Sequence, residues 1–366
     1  MLAMNRFAKE CGAASGRGGY QSAAEADQVV ATTRKSIATL INAESPASIS
    51  LHANGTAALN VAIHGILRPG DHVVTTAAEH NSVLRPLHQL ESGGVISMTV
   101  IPVNGEGEVD PTALLDAVTA NTRLVTLTHA SNVTGCVQAI AEVGCGLRDH
   151  EAVFLCDAAQ TFGTLPIDVR RAGIDLLATP GHKASGGPLG TGFLYASPAV
   201  HDRLTPLMQG GTGSQSESLS MPTEMPAKLE AGNLNVPALA GWNVALQTLL
   251  QDGIKSRIRG ASAIAERLHD GLSGIPGIRQ FGRSRTLPIA SIAIEGYSVT
   301  DAAMILDAEF GIETRAGLHC AALIHPFLGS DPEGTLRISA GPDAAEADIN
   351  ALIHAIKVIC ENQPTF

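Results

Sequence analysis

The sequence has few aromatic residues, few charges and no long apolar run. Aromatic residues make up 3% and charged residues 16% of its 366 residues, against 45% hydrophobic residues. This composition excludes a disordered chain and predicts a large buried core. No apolar stretch approaches the roughly 18 residues that a membrane-spanning helix needs. The chain also lacks a basic run and has a formal net charge of −11, so we expect neither nucleic acid nor a membrane as a partner.

Metal-binding spacings are absent as well. None of the six cysteines belongs to a Cys-x-x-Cys pair, which excludes the usual zinc and iron–sulfur patterns, and we predict no metal site. The first residues carry Arg6, Lys9 and Arg17 without the apolar core of a signal peptide, so we expect a cytoplasmic location. Most of the cysteines are then expected to be small core residues. Cys156 fits, because it ends an apolar run, whereas Cys320 follows glycine and histidine.

Short apolar runs alternate with helical patterns over the first two thirds of the chain. The predicted strands lie around residues 49–51, 72–75, 95–100, 124–127, 153–156, 176–178 and 193–195. Strands that alternate with helices favour an α/β fold, with a mostly parallel sheet covered by helices on both faces. A Gly- and Ser-rich stretch at residues 209–220 interrupts the pattern and is expected to be a functional loop.

The last third of the chain predicts a smaller α+β domain. Its expected elements are a helical region at 237–272, a strand at 289–294, a helix at 300–310, a short strand near Ile312, a strand at 335–339 and a helix at 344–359. We place the large domain at residues 1–250 and the small domain at 251–366. We expect the extreme N-terminus to pack on the small domain.

Polar residues follow several predicted strands, where parallel sheets bind their ligands. Asn54-Gly55-Thr56 lies between a strand and a helix, which suits a phosphate site but is equally an ordinary helix cap. Asp157 follows another strand, with Gln160 three residues later, and alone could be a cap or a magnesium ligand. Lys183 follows a third strand, and a lone lysine is usually a solvated charge.

Together these residues match the needs of pyridoxal phosphate. A lysine amine forms a Schiff base with this cofactor. A carboxylate keeps its ring nitrogen protonated, so that the ring can withdraw electrons from the substrate. Backbone amides and hydroxyls hold its phosphate.

The same segments resemble the cysteine desulfurase branch of the class V aminotransferases, a group of fold-type I pyridoxal-phosphate enzymes with a seven-stranded sheet. The resemblance runs from about Met4 to Ala355. Its segments are Ala78-Glu79-His80-Asn81, Asp157-Ala158-Ala159-Gln160, Pro180-Gly181-His182-Lys183 with the turn-rich stretch at 187–195, residues 230–235, and Arg315-Ala316-Gly317-Leu318-His319-Cys320-Ala321. In this order and spacing they are highly specific.

The resemblance implies catalytic roles for Lys183, Cys320 and His80. Lys183 would hold the cofactor, and His80 would stack on the face of its ring. Asp157 would pair with the ring nitrogen, and Gln160 would donate to the phenolic oxygen.

It also implies how phosphate and substrate are bound. Asn132 would lie near the phenolic oxygen and the substrate carboxylate, which Arg337 would clamp through its planar fork. The phosphate would be held by Gly55, Thr56, His182 and, from the second subunit of a homodimer, Thr212.

The resemblance implies that Cys320 takes part in the reaction as a nucleophile. In cysteine desulfurases the loop cysteine attacks the sulfur of the substrate, which yields L-alanine and an enzyme persulfide for a sulfur-acceptor protein. A thiolate nucleophile sits in an accessible, electropositive place, and Arg315, His319 and His325 are close to Cys320 in sequence.

Two groups of alternatives remain open. An aminotransferase, a C–S lyase or a selenocysteine lyase would keep the cofactor and break a different bond. A catalytically idle member would bind a sulfur-carrier partner as a scaffold. The only support for the idle member is that the usual opening strand of the family, with Asp-Asn-Ala-Ala-Thr, is not found in this sequence ahead of the segment at 4–7.

Overall fold

A computed structural model of the protein describes residues 1–213, 215, 217–341 and 343–362. Of the predicted segments, Ser214 and Ser216 in the Gly- and Ser-rich stretch and residues 342 and 363–366 of the small domain lie outside the described residues.

Seven strands form one large sheet. They are β1 (Ile49–His52), β2 (His72–Thr76), β3 (Ser97–Ile101), β4 (Thr122–Thr128), β5 (Val153–Asp157), β6 (Leu176–Pro180) and β7 (Gly192–Ala196). Their order across the sheet is β1-β7-β6-β5-β4-β2-β3. The strands from β6 to β3 are parallel to their neighbours, whereas β7 runs antiparallel to β6 and β1. The predicted α/β fold with a mostly parallel seven-stranded sheet is confirmed.

The described residues of the first two thirds of the chain also form seven α-helices. They are α1 (Leu2–Glu10), α2 (Gln21–Leu40), α3 (Gly55–Ile66), α4 (Asn81–Ser92), α5 (Pro111–Asp116), α6 (Ile140–Gly146) and α7 (Val236–Asp252). Side-chain caps fix where the helices beside the sheet edge begin. The Asn54 side chain accepts the N–H of Ala57 at 2.8 Å before α3, and His80 caps α4 in the same way. Asn54 and His80 therefore lie in the short turns that connect β1 to α3 and β2 to α4.

The remaining elements surround a second, antiparallel sheet. They are α8 (Ile254–Ser273), β8 (Ile278–Phe281), β9 (Ile289–Ile294), α9 (Val299–Phe310), β10 (Arg315–Gly317), α10 (His325–Leu328), β11 (Thr335–Ser339) and α11 (Glu346–Glu361). The sheet order is β10-β11-β9-β8, and its apolar side chains pack with those of α8, α9 and α11. None of the described helices is both long and apolar enough to span a membrane.

The short strand expected near Ile312 was misplaced. Gly311 ends α9 in the left-handed conformation, at φ 64°, and the N–H of Ile312 then bonds back to the carbonyl of Leu306 at 2.9 Å. Ile312 therefore completes the end of the helix. The strand follows as β10, where Arg315 pairs with Arg337 of β11.

The helical region at 237–272 divides at Gly253, whose φ of 74° separates α7 from α8. Trp242 of α7 belongs to the core beneath the large sheet, whereas Leu268 of α8 belongs to the core of the small sheet. The domain boundary near residue 250 stays a prediction that this change of core supports.

The N-terminal helix lies elsewhere than expected. α1 packs on α7, where Met4 occupies the space beside Gly241: a Cβ at Gly241 would come within 2.7 Å of Met4 Cγ. The missing side chain of Gly241 thus gives α1 its place on α7, in contrast to the predicted packing on the small domain.

The expectation that most cysteines are core residues was wrong. All six are free, but only Cys156 is buried. Cys145 is exposed, and the remaining four are partly exposed. Cys156 is the one that lies on a strand covered on both faces, at β5.

Candidate active site

Two adjoining cavities open at the carboxyl edge of the large sheet. The inner cavity, of about 190 Å³, lies between the starts of α3 and α4 and the residues that follow β4, β5 and β6. The outer cavity, of about 890 Å³, extends from there to α8 and to β10 and β11 of the small sheet. Five predicted site residues line both cavities: His80, Asn132, Gln160, His182 and Lys183. Gly55, Thr56 and Asp157 line only the inner cavity, and Arg337 lines only the outer one.

The N-terminus of α3 forms one wall of the inner cavity. Gly55 is needed there, because a Cβ would come within 2.8 Å of Pro180 Cδ at the end of β6. Thr56 Oγ1 lies 2.7 Å from Ser82 Oγ of α4. A helix N-terminus with two hydroxyls beside it suits an anion such as a phosphate. Ser82 was not predicted as a site residue. Its position two residues after His80 is the feature of the sequence that could have indicated it.

His80 is held as a neutral imidazole at the start of α4. The N–H of Ser82 donates to its Nδ1 at 3.0 Å, so the hydrogen of the neutral ring is on Nε2. Burial lowers the pKa of His80 to about 4, and the nearby positive charge of Lys183 acts in the same direction. The ring therefore carries no charge at neutral pH.

Asp157 is the last residue of β5, and Lys183 follows the adjacent parallel strand β6. Asp157 is buried, and its Oδ1 accepts the N–H of Ala159 at 2.9 Å. Burial raises the pKa of Asp157 while the charge of Lys183 opposes this. Burial likewise lowers the pKa of Lys183 against the opposing charge of Asp157. A lowered pKa gives the amine a larger unprotonated fraction, which a nucleophilic lysine needs.

Arg337 reaches the outer cavity from β11. Its Nη1 donates to the carbonyl of Asn132 at 3.0 Å. Its Nε is buried and has no hydrogen-bond partner among the described residues. A buried guanidinium N–H left unpaired in a cavity wall is a binding point for a carboxylate ligand.

Cys320 lines neither cavity, but its loop is tied to their wall. The N–H of Asn81 in α4 donates to the Cys320 carbonyl at 2.6 Å, and Asn132 Nδ2 donates to the His319 carbonyl at 2.7 Å. His319 and Cys320 both adopt left-handed backbone conformations, with φ of 52° and 58°. Such strain in non-glycine residues is typical of functional sites. Arg315 Nη2 lies 3.2 Å from Cys320 Sγ.

The positive charge near Cys320 does not come from the histidines that the sequence suggested. Burial lowers the pKa of His319 to about 3 and also lowers the pKa of His325. Both rings are therefore neutral at pH 7. The cations nearby are Arg315, which contacts the thiol, and Arg337.

Thr212 is the other predicted residue that is not among those lining either cavity. It lies in the loop at 210–213, next to Gly211, whose carbonyl accepts a hydrogen bond from Arg17 at 3.3 Å.

Comparisons with known proteins agree with this arrangement. The sequence profile of the aminotransferase class-V family matches residues 1–352. A Methanothermobacter thermautotrophicus protein named "probable cysteine desulfurase" is 38% identical over 343 residues, which cover 92% of this chain and 85% of that protein. The cysteine desulfurase CsdA of Escherichia coli is 30% identical, over 91% of this chain and 84% of CsdA. The apo structure of a cysteine desulfurase from Thermococcus onnurineus superimposes with a TM-score of 0.91 at 26% identity, over 98% and 90% of the two chains.

The fold and the cavities at the carboxyl edge of its mostly parallel sheet define the class as α/β enzymes that bind their ligand at that edge. The chain belongs to the aminotransferase class-V family, as a member similar to cysteine desulfurases.

This family implies pyridoxal phosphate as the cofactor, and the residues of the inner cavity fit it. The start of α3 can take an anion, the buried Asp157 can pair with a protonated ring nitrogen, and Lys183 has a lowered pKa.

Proposed function

We propose that the protein is a pyridoxal-phosphate-dependent cysteine desulfurase, which converts L-cysteine to L-alanine and takes the sulfur as a persulfide on Cys320. The observation that carries this proposal is the anchoring of the Cys320 loop beside the candidate cofactor site, through Asn81 and Asn132. An aminotransferase would have no use for a thiol held there.

In this proposal, different residues of the two cavities bind different parts of the cofactor. Lys183 holds the cofactor covalently, Asp157 pairs with the ring nitrogen, and Gln160 donates to the phenolic oxygen. His80 covers the face of the ring as a neutral group. The phosphate contacts come from Gly55, Thr56 and His182, with Ser82 as an additional hydroxyl. When bound, pyridoxal phosphate supplies an electron sink for the substrate carbon.

Sulfur transfer itself falls to Cys320, which acts as a thiolate. Its Sγ attacks the substrate sulfur, so that an S–S bond forms while the substrate C–S bond breaks. The bonding electrons stay with the substrate carbon, which takes up a proton and leaves in alanine. The guanidinium of Arg315 lies 3.2 Å from this Sγ. Lys183 moves protons at the substrate carbon, and Arg337 together with Asn132 orients the substrate carboxylate.

Product analysis tests the proposed reaction. The purified holoenzyme is incubated with L-cysteine, and alanine, pyruvate and sulfide are measured separately. Alanine with persulfide sulfur supports the desulfurase. Pyruvate with sulfide would instead indicate a C–S lyase, a keto acid that retains sulfur would indicate an aminotransferase, and bound cofactor without any product would indicate the idle scaffold.

The substrate carboxylate gives a separate prediction at Arg337. Arg337→Lys should raise KM for L-cysteine about 10- to 100-fold with a much smaller change in kcat, because a lysine loses the planar fork while keeping the charge. Steady-state kinetics measure both constants. Arg279→Lys is the matched control, since Arg279 stacks on Phe281 in the small domain and lines neither cavity. An unchanged KM in Arg337→Lys would remove Arg337 from substrate binding.

The active unit in this proposal is a homodimer in which the partner subunit's Thr212 completes the phosphate site. Large apolar side chains close in sequence to Lys183 and to the loop at 210–213 are exposed: Leu189, Met208 and Leu219. Exposed large apolar side chains are what a protein–protein interface would cover, and a two-fold dimer is the commonest closed oligomer.

Light scattering of the cofactor-loaded protein should therefore give twice the chain mass. Thr212→Ala should weaken cofactor binding without altering the mass. An active, cofactor-loaded monomer at the assay concentration would rule out the dimer proposal.

The proposed chemistry also requires a reduced thiol and an outlet for its sulfur. All six cysteines are free, as expected in a reducing compartment, so a cytoplasmic location is part of the proposal. A sulfur-acceptor protein that reaches the partly exposed Cys320 completes the turnover.

A further inference from the structure

Glu79 is a buried carboxyl group to which the proposed reaction gives no role. It follows β2 and directly precedes His80, and it has no exposed surface. Its Oε1 accepts the N–H of Thr128 at 2.8 Å. Its Oε2 is also buried and has no hydrogen-bond partner among the described residues. No cation in the described part of the chain lies among the groups that act on this carboxyl, and burial without one favours the neutral, protonated form.

The neighbours of Glu79 lead directly to the cofactor site. Thr128, which donates to Glu79, pairs with Asp157 in the register between β4 and β5. The titratable groups that interact with Glu79 are Asp157 and Cys156, both on β5. No basic side chain in the described part of the chain contributes to this set. Glu79 and Asp157 are thus two buried acids that lie at the ends of strands separated only by β4.

Two buried carboxyl groups that interact cannot both ionise without a large penalty, and the proton stays on the group that lacks a cation. Asp157 has the positive charge of Lys183 and the N–H of Ala159 to stabilise its ionised form. Glu79 has no cation: burial raises its pKa to about 8, against the opposing effects of the Thr128 N–H and the Thr126 side chain. The cation beside Asp157 therefore favours the negative charge of the pair on Asp157 and the proton on Glu79.

We propose that Glu79 is a positioning residue for Asp157: by keeping the proton of the pair at the end of β2, it leaves Asp157 ionised where the ring nitrogen of the cofactor binds. The inference rests on the proposed function only in one respect, which is that the ring nitrogen of the cofactor binds beside Asp157. The protonation of Glu79 is a property of the chain without cofactor. When Glu79 ionises at high pH, its charge raises the pKa of Asp157 and changes the electrostatic environment of the ring.

The first test uses the cofactor-free protein and infrared spectroscopy. Wild-type protein at pH 7 should show the band of a protonated carboxyl group, which disappears as the pH rises through about 8. Glu79→Gln, which resembles the neutral acid but cannot ionise, should lack this band. Asp175→Asn is the matched control and should keep it, because Asp175 also accepts a backbone N–H but precedes β6 at the opposite edge of the sheet. Absence of the band from the wild type at pH 7 would overturn the proposal without any variant.

The second test follows the absorbance of bound cofactor as a function of pH. Glu79→Gln should match the wild type at pH 7 and lose the spectral change that the wild type and Asp175→Asn show above pH 8. A Glu79→Gln spectrum that keeps the full alkaline change would overturn the positioning role. A failure of the desulfurase proposal would appear instead in product analysis and would leave the infrared band unchanged.

Discussion

Lys183→Ala should abolish the covalent attachment of cofactor and lower alanine formation by at least about 10⁴-fold, or about 5.4 kcal/mol in barrier. In the proposed reaction Lys183 both holds the cofactor and moves the proton, so its loss would remove two functions at once. Cofactor should still bind non-covalently, because the phosphate contacts at α3 and the pairing with Asp157 remain. Borohydride reduction followed by mass spectrometry of the intact protein measures the covalent link.

Lys228→Ala is the matched control for this experiment. Lys228 donates to the carbonyl of His201 at 2.8 Å and lines neither cavity, so its removal should preserve the reducible link and the activity. A borohydride-reducible cofactor link in Lys183→Ala would show that another amine holds the cofactor.

Cys320→Ser should lower alanine formation from L-cysteine by at least about 100-fold, or about 2.7 kcal/mol in barrier, while cofactor and substrate binding persist. A serine hydroxyl is a far weaker nucleophile toward sulfur and stays protonated beside Arg315. The binding residues lie in the cavities, and Cys320 lines neither of them. Alanine formation by stopped assay gives the rate, and the cofactor spectrum on addition of cysteine gives substrate binding.

Cys145→Ser provides the control, since Cys145 is exposed on α6 and should be dispensable. Selenocysteine offers a second arm: selenium can leave without a protein thiol, so Cys320→Ser should lose less activity on selenocysteine than on cysteine. An undiminished rate of alanine formation from cysteine in Cys320→Ser would make the thiol a bystander and favour the lyase.

The sequence predicted the large sheet well because its strands are buried on both faces. Runs such as Val153–Asp157 are almost continuously apolar, and such runs are visible without knowing their neighbours. The small sheet was harder. β8, with the sequence Ile-Arg-Gln-Phe, is only partly buried and resembles a loop. β10 consists of Arg315, Ala316 and Gly317, and it becomes a strand only because β11 lies beside it.

The residues of the candidate site were predictable to the extent that each follows a strand or matches a family segment. What the sequence did not indicate was how they contact one another. Glu79 belongs to the family segment that contains His80. Its burial against Thr128, however, depends on β2 and β4 being neighbours in the sheet. The neutral state of His319 and His325 likewise depends on burial, which a single sequence does not give.

Transfer of the substrate sulfur to Cys320 can be followed in a single turnover. Cofactor-loaded protein is mixed with one equivalent of L-cysteine and quenched, and the peptide that contains Cys320 is analysed by mass spectrometry alongside the free amino acids. One additional sulfur atom is expected on Cys320 for each alanine formed, and none on the exposed Cys145. Unmodified Cys320 accompanied by pyruvate and free sulfide would contradict this transfer.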